Sequence, residues 1–189
     1  MKLPTWIQAL SAALTALATV ALLFVVKNEL RFYQDQLLDT QRGRKVDKMD
    51  ALSERFNSLE MLSVRAEAAK SHPSGTLPVT EIFDFFERLA RSEQMGIVDT
   101  DDVDYYFHDA LFLYWYGWHD WLKKTRVAQG QDPDKGDLYD GYQRLVTMLL
   151  KRPGAHPLNE AEVMNFLKYE THRFETAKTI REAAVLSAK

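Results

Sequence analysis

The stretch Tyr105–Leu122, "YYFHDALFLYWYGWHDWL", holds three of the four tryptophans in the chain, so its reading decides where the core lies. It could be a stacking platform for a ligand or nucleic acid, a membrane-interface belt, or the core of a small helical domain. On a wheel of about 100° per residue, Phe107, Leu111, Tyr114, Trp115, Trp118 and Leu122 share one broad face, with Trp121 at its edge. The opposite side carries Asp109, Asp120, Lys123 and Lys124, but also Tyr105, Tyr106, Phe112, Leu113 and Tyr116. A helix that is apolar on nearly every side is a buried one. The spacing therefore predicts the central helix of a bundle, or one whose second face meets a partner. Tyr105, Phe112 and Tyr116 are the candidate partner face.

The surroundings weigh against the other two uses. Stacking of single strands pairs aromatics with a basic groove, whereas Asp99, Asp101, Asp102, Asp104, Asp109 and Asp120 surround this helix. A membrane belt would lie beside an apolar span, and these rings are far from one in sequence. Over the whole chain of 189 residues the net charge is −3, which removes the electrostatic case for nucleic-acid binding. With no cysteine there is no disulfide framework, thiol nucleophile or thiolate metal site.

Working outward toward the amino terminus, "WIQALSAALTALATVALLFVV" (Trp6–Val26) has no charged residue. At 1.5 Å per residue it covers roughly 30 Å, the thickness of bilayer hydrocarbon. A cleaved signal peptide is the competing reading, but its apolar core is shorter and ends at a small-x-small site that is missing here. The expectation is an uncleaved anchor at residues 1–27. Lys27, Arg31, Arg42, Arg44 and Lys45 follow the span against Lys2 before it. This excess places the carboxyl-terminal side in the cytoplasm of a single-pass inner-membrane protein. Gln8, Ser11, Ala12, Thr15, Ala16 and Thr19 make a small and polar stripe suited to packing between transmembrane helices, although small residues are common in any span.

Residues 28–70 read as a stalk helix, with Gly43 as the expected break and an apolar stripe through Met49, Leu52, Phe56, Leu59, Ser63 and Ala66. The "RGRK" cluster within it reads as a solvated helix face rather than a lipid-headgroup site. "SHPSGTLPVT" (residues 71–80) ends the stalk, and residues 71–189 read as a helical bundle. Its first helix puts Ile82, Phe83, Phe86, Leu89 and Ala90 on one face and closes at Gly96. Asp99 with Asp102 would cap the aromatic helix, which runs to about Arg126. Helices over about 138–151 and 160–186 follow, the latter capped by Asn159 and Glu162. No alternating strand pattern and no repeat occurs, so the expected class is all-α.

Catalytic chemistry has little to stand on. Asp132 and Asp134 match two positions of a calcium loop, but Gly136 and Asp137 stand in swapped order and Gln143 replaces the bidentate glutamate. His108 and His119 would lie about 16 Å apart along one helix, too far to share a metal. No HExxH, GxSxG, Walker A or GxGxxG motif occurs. No catalytic residue, metal site or cofactor is expected.

"FDFFERLARSEQMGIVD" and "YWYGWHDWLKKTR", behind an anchor and a charged stalk, resemble the bacterial domain of unknown function 4760 family. Phe86, Glu87, Leu89, Ala90, Gly96, Ile97, Asp99, Trp115 and Arg126 carry the likeness, which covers roughly residues 5–126 and not the last sixty. It implies a small, membrane-anchored helical protein and brings no activity with it. The leading expectation is a membrane-tethered interaction or scaffold protein, whose partners are the lipid bilayer and another protein or further copies of itself. The alternatives are an effector or channel-associated subunit that oligomerises through its span, and an enzyme with a dispersed Asp/Glu/His site.

Overall fold

The computed structural model describes residues 5–74 and 77–187, with side chains at 22–74 and 77–186. Among the described residues there are seven α-helices and no strand: α1 (Thr5–Phe56), α2 (Leu59–Ser71), α3 (Leu77–Gln94), α4 (Thr100–Gly117), α5 (His119–Ala128), α6 (Asp140–Leu149) and α7 (Glu160–Ser187). The all-α expectation holds. The chain divides into two compact units, Met1–Arg44 and Lys45–Lys189.

The first unit is helical from Thr5 onward. Among the described residues no helix is long and apolar enough to cross a membrane. Most of the expected span, and the whole stripe of Gln8, Ser11, Ala12, Thr15, Ala16 and Thr19, lies outside the residues whose side chains are described. Helix α1 passes unbroken through the expected break at Gly43.

The second unit begins inside α1, so the carboxyl-terminal end of the expected stalk is part of it. Met49 and Phe56 are buried in its core. The helix stops instead at Asn57–Ser58, where the Ser58 hydroxyl accepts from the Met61 N–H at 3.2 Å and caps α2. The expected aromatic helix is also two helices, α4 and α5, broken at Trp118. Gly96 closes α3 in the left-handed region (φ 69°), as its place in the sequence suggests. Asp99 stands at the start of α4 without a side-chain cap bond and pairs with Lys45 at 2.5 Å instead. The Asn159–Glu162 pair forms as expected, each side chain accepting from the other's N–H.

The core is aromatic. Phe83 and Phe86 from α3, Phe107 and Tyr114 from α4, and Tyr142 from α6 are all buried. Phe86 stacks on Tyr142 with centroids 4.9 Å apart, and Phe83 meets Trp121, Tyr139 and Tyr142 edge-on. Each buried ring contributes about 1.5–3 kcal/mol by removal from water, and good ring pairs add about 0.5–1.5. Helices from the last sixty residues contribute to this core: α6 packs on α3 and α4, and α7 on α2 and α4, with Tyr142, Leu145, Val163 and Leu167 buried.

Candidate functional site

The most concentrated buried chemistry lies where α2, α4 and α7 meet. Arg65 on α2 and Glu170 on α7 are each 1% exposed. Arg65 donates from Nε to Glu170 Oε2 at 2.5 Å and from Nη2 to Oε1 at 2.6 Å, a bidentate pair. Its Nη1 donates to the Phe56 carbonyl at 2.9 Å, and its guanidinium lies over the Phe56 ring at 4.0 Å. The Tyr114 hydroxyl donates to Glu170 Oε2 at 2.9 Å. Burial, then the neighbouring Glu170 charge, pushes the Tyr114 phenol well above its ordinary pKa, so it remains a neutral donor.

Phe56, Arg65 and Glu170 line the floor of a cleft of about 520 Å³, with Tyr114 packed beneath them. Its rim carries Tyr105, Tyr106, His108, Tyr169 and Arg173. Tyr105 is 85% exposed, Tyr106 donates to Asp50, and Arg173 donates to Asn57. The His108 ring pairs with Asp104 at 2.7 Å, and Asp104 also accepts from Arg152. The floor satisfies itself: the carboxylate already takes three hydrogen bonds, and its phenol partner does not ionise. Such an arrangement braces α2, α4 and α7 against one another.

The candidate partner face divides. Tyr105 is exposed at the cleft rim, whereas Phe112 is 2% exposed. Phe112 lies edge-on to His108, beside a second cavity lined by Gly154, His156 and Leu158. These cavity residues come from the segment that joins α6 to α7. Tyr116 is half-buried and lines a third cavity with His72 and Trp121.

The calcium-like loop is arranged around an arginine. Arg126, 0% exposed, donates to the Leu138 carbonyl at 2.7 and 3.1 Å and to the Pro133 carbonyl at 3.2 Å. Asp132 Oδ1 accepts from the N–H groups of Asp134 and Lys135, turning the loop back on itself. Among the described residues no three His, Asp or Glu side chains gather in a metal-holding cluster. His119 is half-buried against Trp115, and burial followed by Lys123 lowers its pKa. The helix break at Trp118 takes it off the continuous line expected with His108.

Glu87 of α3 holds the start of another helix. Its Oε2 accepts from the Tyr142 N–H at 2.8 Å and so caps the start of α6 from another helix. Neither this nor the Arg65–Glu170 pair has a local sequence signature, since each joins residues far apart in the chain. Comparison with protein-family models, curated proteins and solved structures gives no match. The likeness to the domain of unknown function 4760 family therefore rests on its short motifs.

Proposed function

We propose that this chain is a single-pass membrane protein whose helical domain lies on the cytoplasmic side of the inner membrane and binds protein partners without chemistry of its own. The observation that carries the reading is at the end of the uncharged stretch. Leu22, Leu23, Phe24, Val25 and Val26 are 43–65% exposed and point in every direction around α1. A helix apolar on all sides calls for lipid or protein around it, not water. The charge-free sequence preceding these residues has the length for lipid. The resemblance to the domain of unknown function 4760 family favours the same architecture.

The cleft rim supplies the partner site. Tyr105 and Tyr169, at 85% and 56% exposure, stand beside Arg173. Tyrosine and arginine are the residue types that carry the most binding energy at protein interfaces. Among the described residues that line the cleft, the buried ionisable groups Arg65 and Glu170 are paired with each other.

Reporter fusions at the carboxyl terminus test the topology. A cytoplasm-active reporter is expected to work there and a periplasm-only reporter to stay silent; the reverse pattern would overturn the assignment. For the site, proteins retained by the full chain in mild detergent are expected to be lost with Tyr105→Ala while the melting temperature holds. Retention of every partner by Tyr105→Ala, Tyr169→Ala would remove the rim from the account.

A further inference from the structure

We propose that α1 pairs in parallel with α1 of a second copy of this chain, through a seam that runs from the end of the uncharged stretch to Leu37. Leu23, Val26, Leu30, Tyr33 and Leu37 recur at alternating steps of three and four, and they are 63, 43, 57, 59 and 63% exposed. A 3.5-residue apolar repeat is the pattern by which one helix meets another along a supercoil. Lipid imposes no such period. The last three seam residues also lie past the end of the uncharged stretch, among Glu29, Arg31, Asp35 and Asp39. Leu37 is about 16 Å along the helix beyond Val26 at 1.5 Å per residue. Water would bathe these side chains there, and each is 57–63% exposed among the described residues.

The positions flanking the seam select a second copy. In a parallel pair each residue just before a seam leucine faces the residue five places further on in the partner helix. Leu22 then meets Lys27, Glu29 meets Gln34, and Gln36 meets Gln41. No like charges oppose, and the carboxylate meets an amide that can donate to it. Followed toward the amino terminus, the same register falls on Ala12, Ala16 and Thr19, small residues that permit close helix approach in lipid. The pairing rests on the anchored reading only for direction: two copies held in one bilayer by the same end can meet only in parallel. Phe32 and Leu38 fall off the seam.

The absence of native cysteine makes single-cysteine cross-linking of the full chain a clean test. Leu30→Cys, Tyr33→Cys and Leu37→Cys are to be compared with Arg31→Cys, Asp35→Cys and Asp39→Cys in membranes of expressing cells, under a mild oxidant. A disulfide needs Cβ atoms about 3.5–4.5 Å apart, which equivalent seam positions approach and outward positions do not. Covalent dimer is expected at the three seam positions in several-fold excess over the charged positions. Introducing Leu30→Asp into the Leu37→Cys chain is expected to abolish it. Equal yields around the helix, yields greatest at the charged positions, or no dimer anywhere would each overturn the seam. An alkaline wash of the same membranes separates this from the anchored reading. Chain that stays in the pellet without periodic cross-links refutes the seam alone, whereas cross-linked chain released by the wash refutes the anchor alone.

Discussion

Arg65 and Glu170 hold three helices through one buried charge pair, and the stability at risk there is larger than at any surface ion pair. Removing one partner leaves the other charge buried and unpaired, which costs about 3–5 kcal/mol. Glu170→Ala and Arg65→Ala are each expected to lower stability by that amount in chemical denaturation of the full chain. The double change Arg65→Met, Glu170→Leu is expected to recover much of the loss, because a buried pair replaced by apolar groups is often neutral. A second contrast is between two aromatics on one stretch. Trp118, 1% exposed, is expected to cost about 3–5 kcal/mol as Trp118→Ala, while Tyr105→Ala costs under about 0.5. Trp118 was legible from its helical spacing. The burial of Phe112 was not, because helical spacing shows which residues share a face and not what covers that face. Arg65 and Glu170, separated by 105 positions, had nothing to distinguish them from the other charges.

At the scale of the element, helix identity was plain in the sequence and helix breaks were not. An exposed glycine inside a helix costs about 1 kcal/mol, which a long helix absorbs, so α1 passes through Gly43. The actual break at Asn57–Ser58 lets Phe56 enter the ring cluster with Phe85, Phe86 and Phe107, a tertiary reason that local propensity does not carry. The α6 start depends on a close approach: a Cβ at Gly141 would meet Glu87 Oε1 at 2.8 Å. Gly141→Ala is therefore expected to push the Glu87 carboxylate off the Tyr142 N–H and cost about 0.5–2 kcal/mol, the worth of a cap. Thermal unfolding beside Glu87→Gln would read it; no change in melting temperature for Gly141→Ala would contradict the cap. Acid response belongs here too. At Glu93, burial acts to raise the pKa, but hydrogen bonds from Thr100 and Arg144 outweigh it and leave the carboxyl below its ordinary 4.5. Burial, then Lys123, leaves His119 of α5 below its ordinary 6.5. For both, the unfolded chain binds the proton first as pH falls, so stability present at neutral pH declines through the window below the ordinary value. A loss is expected to set in just below pH 6.5, and His119→Gln is expected to remove this first part while leaving the lower one; an unchanged profile would contradict the His119 assignment.

For the whole molecule, composition and apolar periodicity made the all-α class and the aromatic core legible, since both follow from local spacing. The partition of the chain was less so. The stripe through Met49 and Phe56 was visible, but not that it belongs with the bundle, because a helix face shows what is apolar and not what it packs against. Helix α1 carries an uncharged stretch at one end, then exposed apolar residues, and from Lys45 onward it belongs to the second unit. Membrane retention of the full chain after an alkaline carbonate wash tests the anchored reading most directly, with Ala13→Arg, Leu17→Arg as the comparison. Two arginines at the middle of a span oppose insertion by about 2.5–3.5 kcal/mol each. The natural chain is expected in the membrane pellet and the doubly substituted chain in the supernatant. Natural chain found in the supernatant, with the substituted chain behaving alike, would contradict the anchored reading.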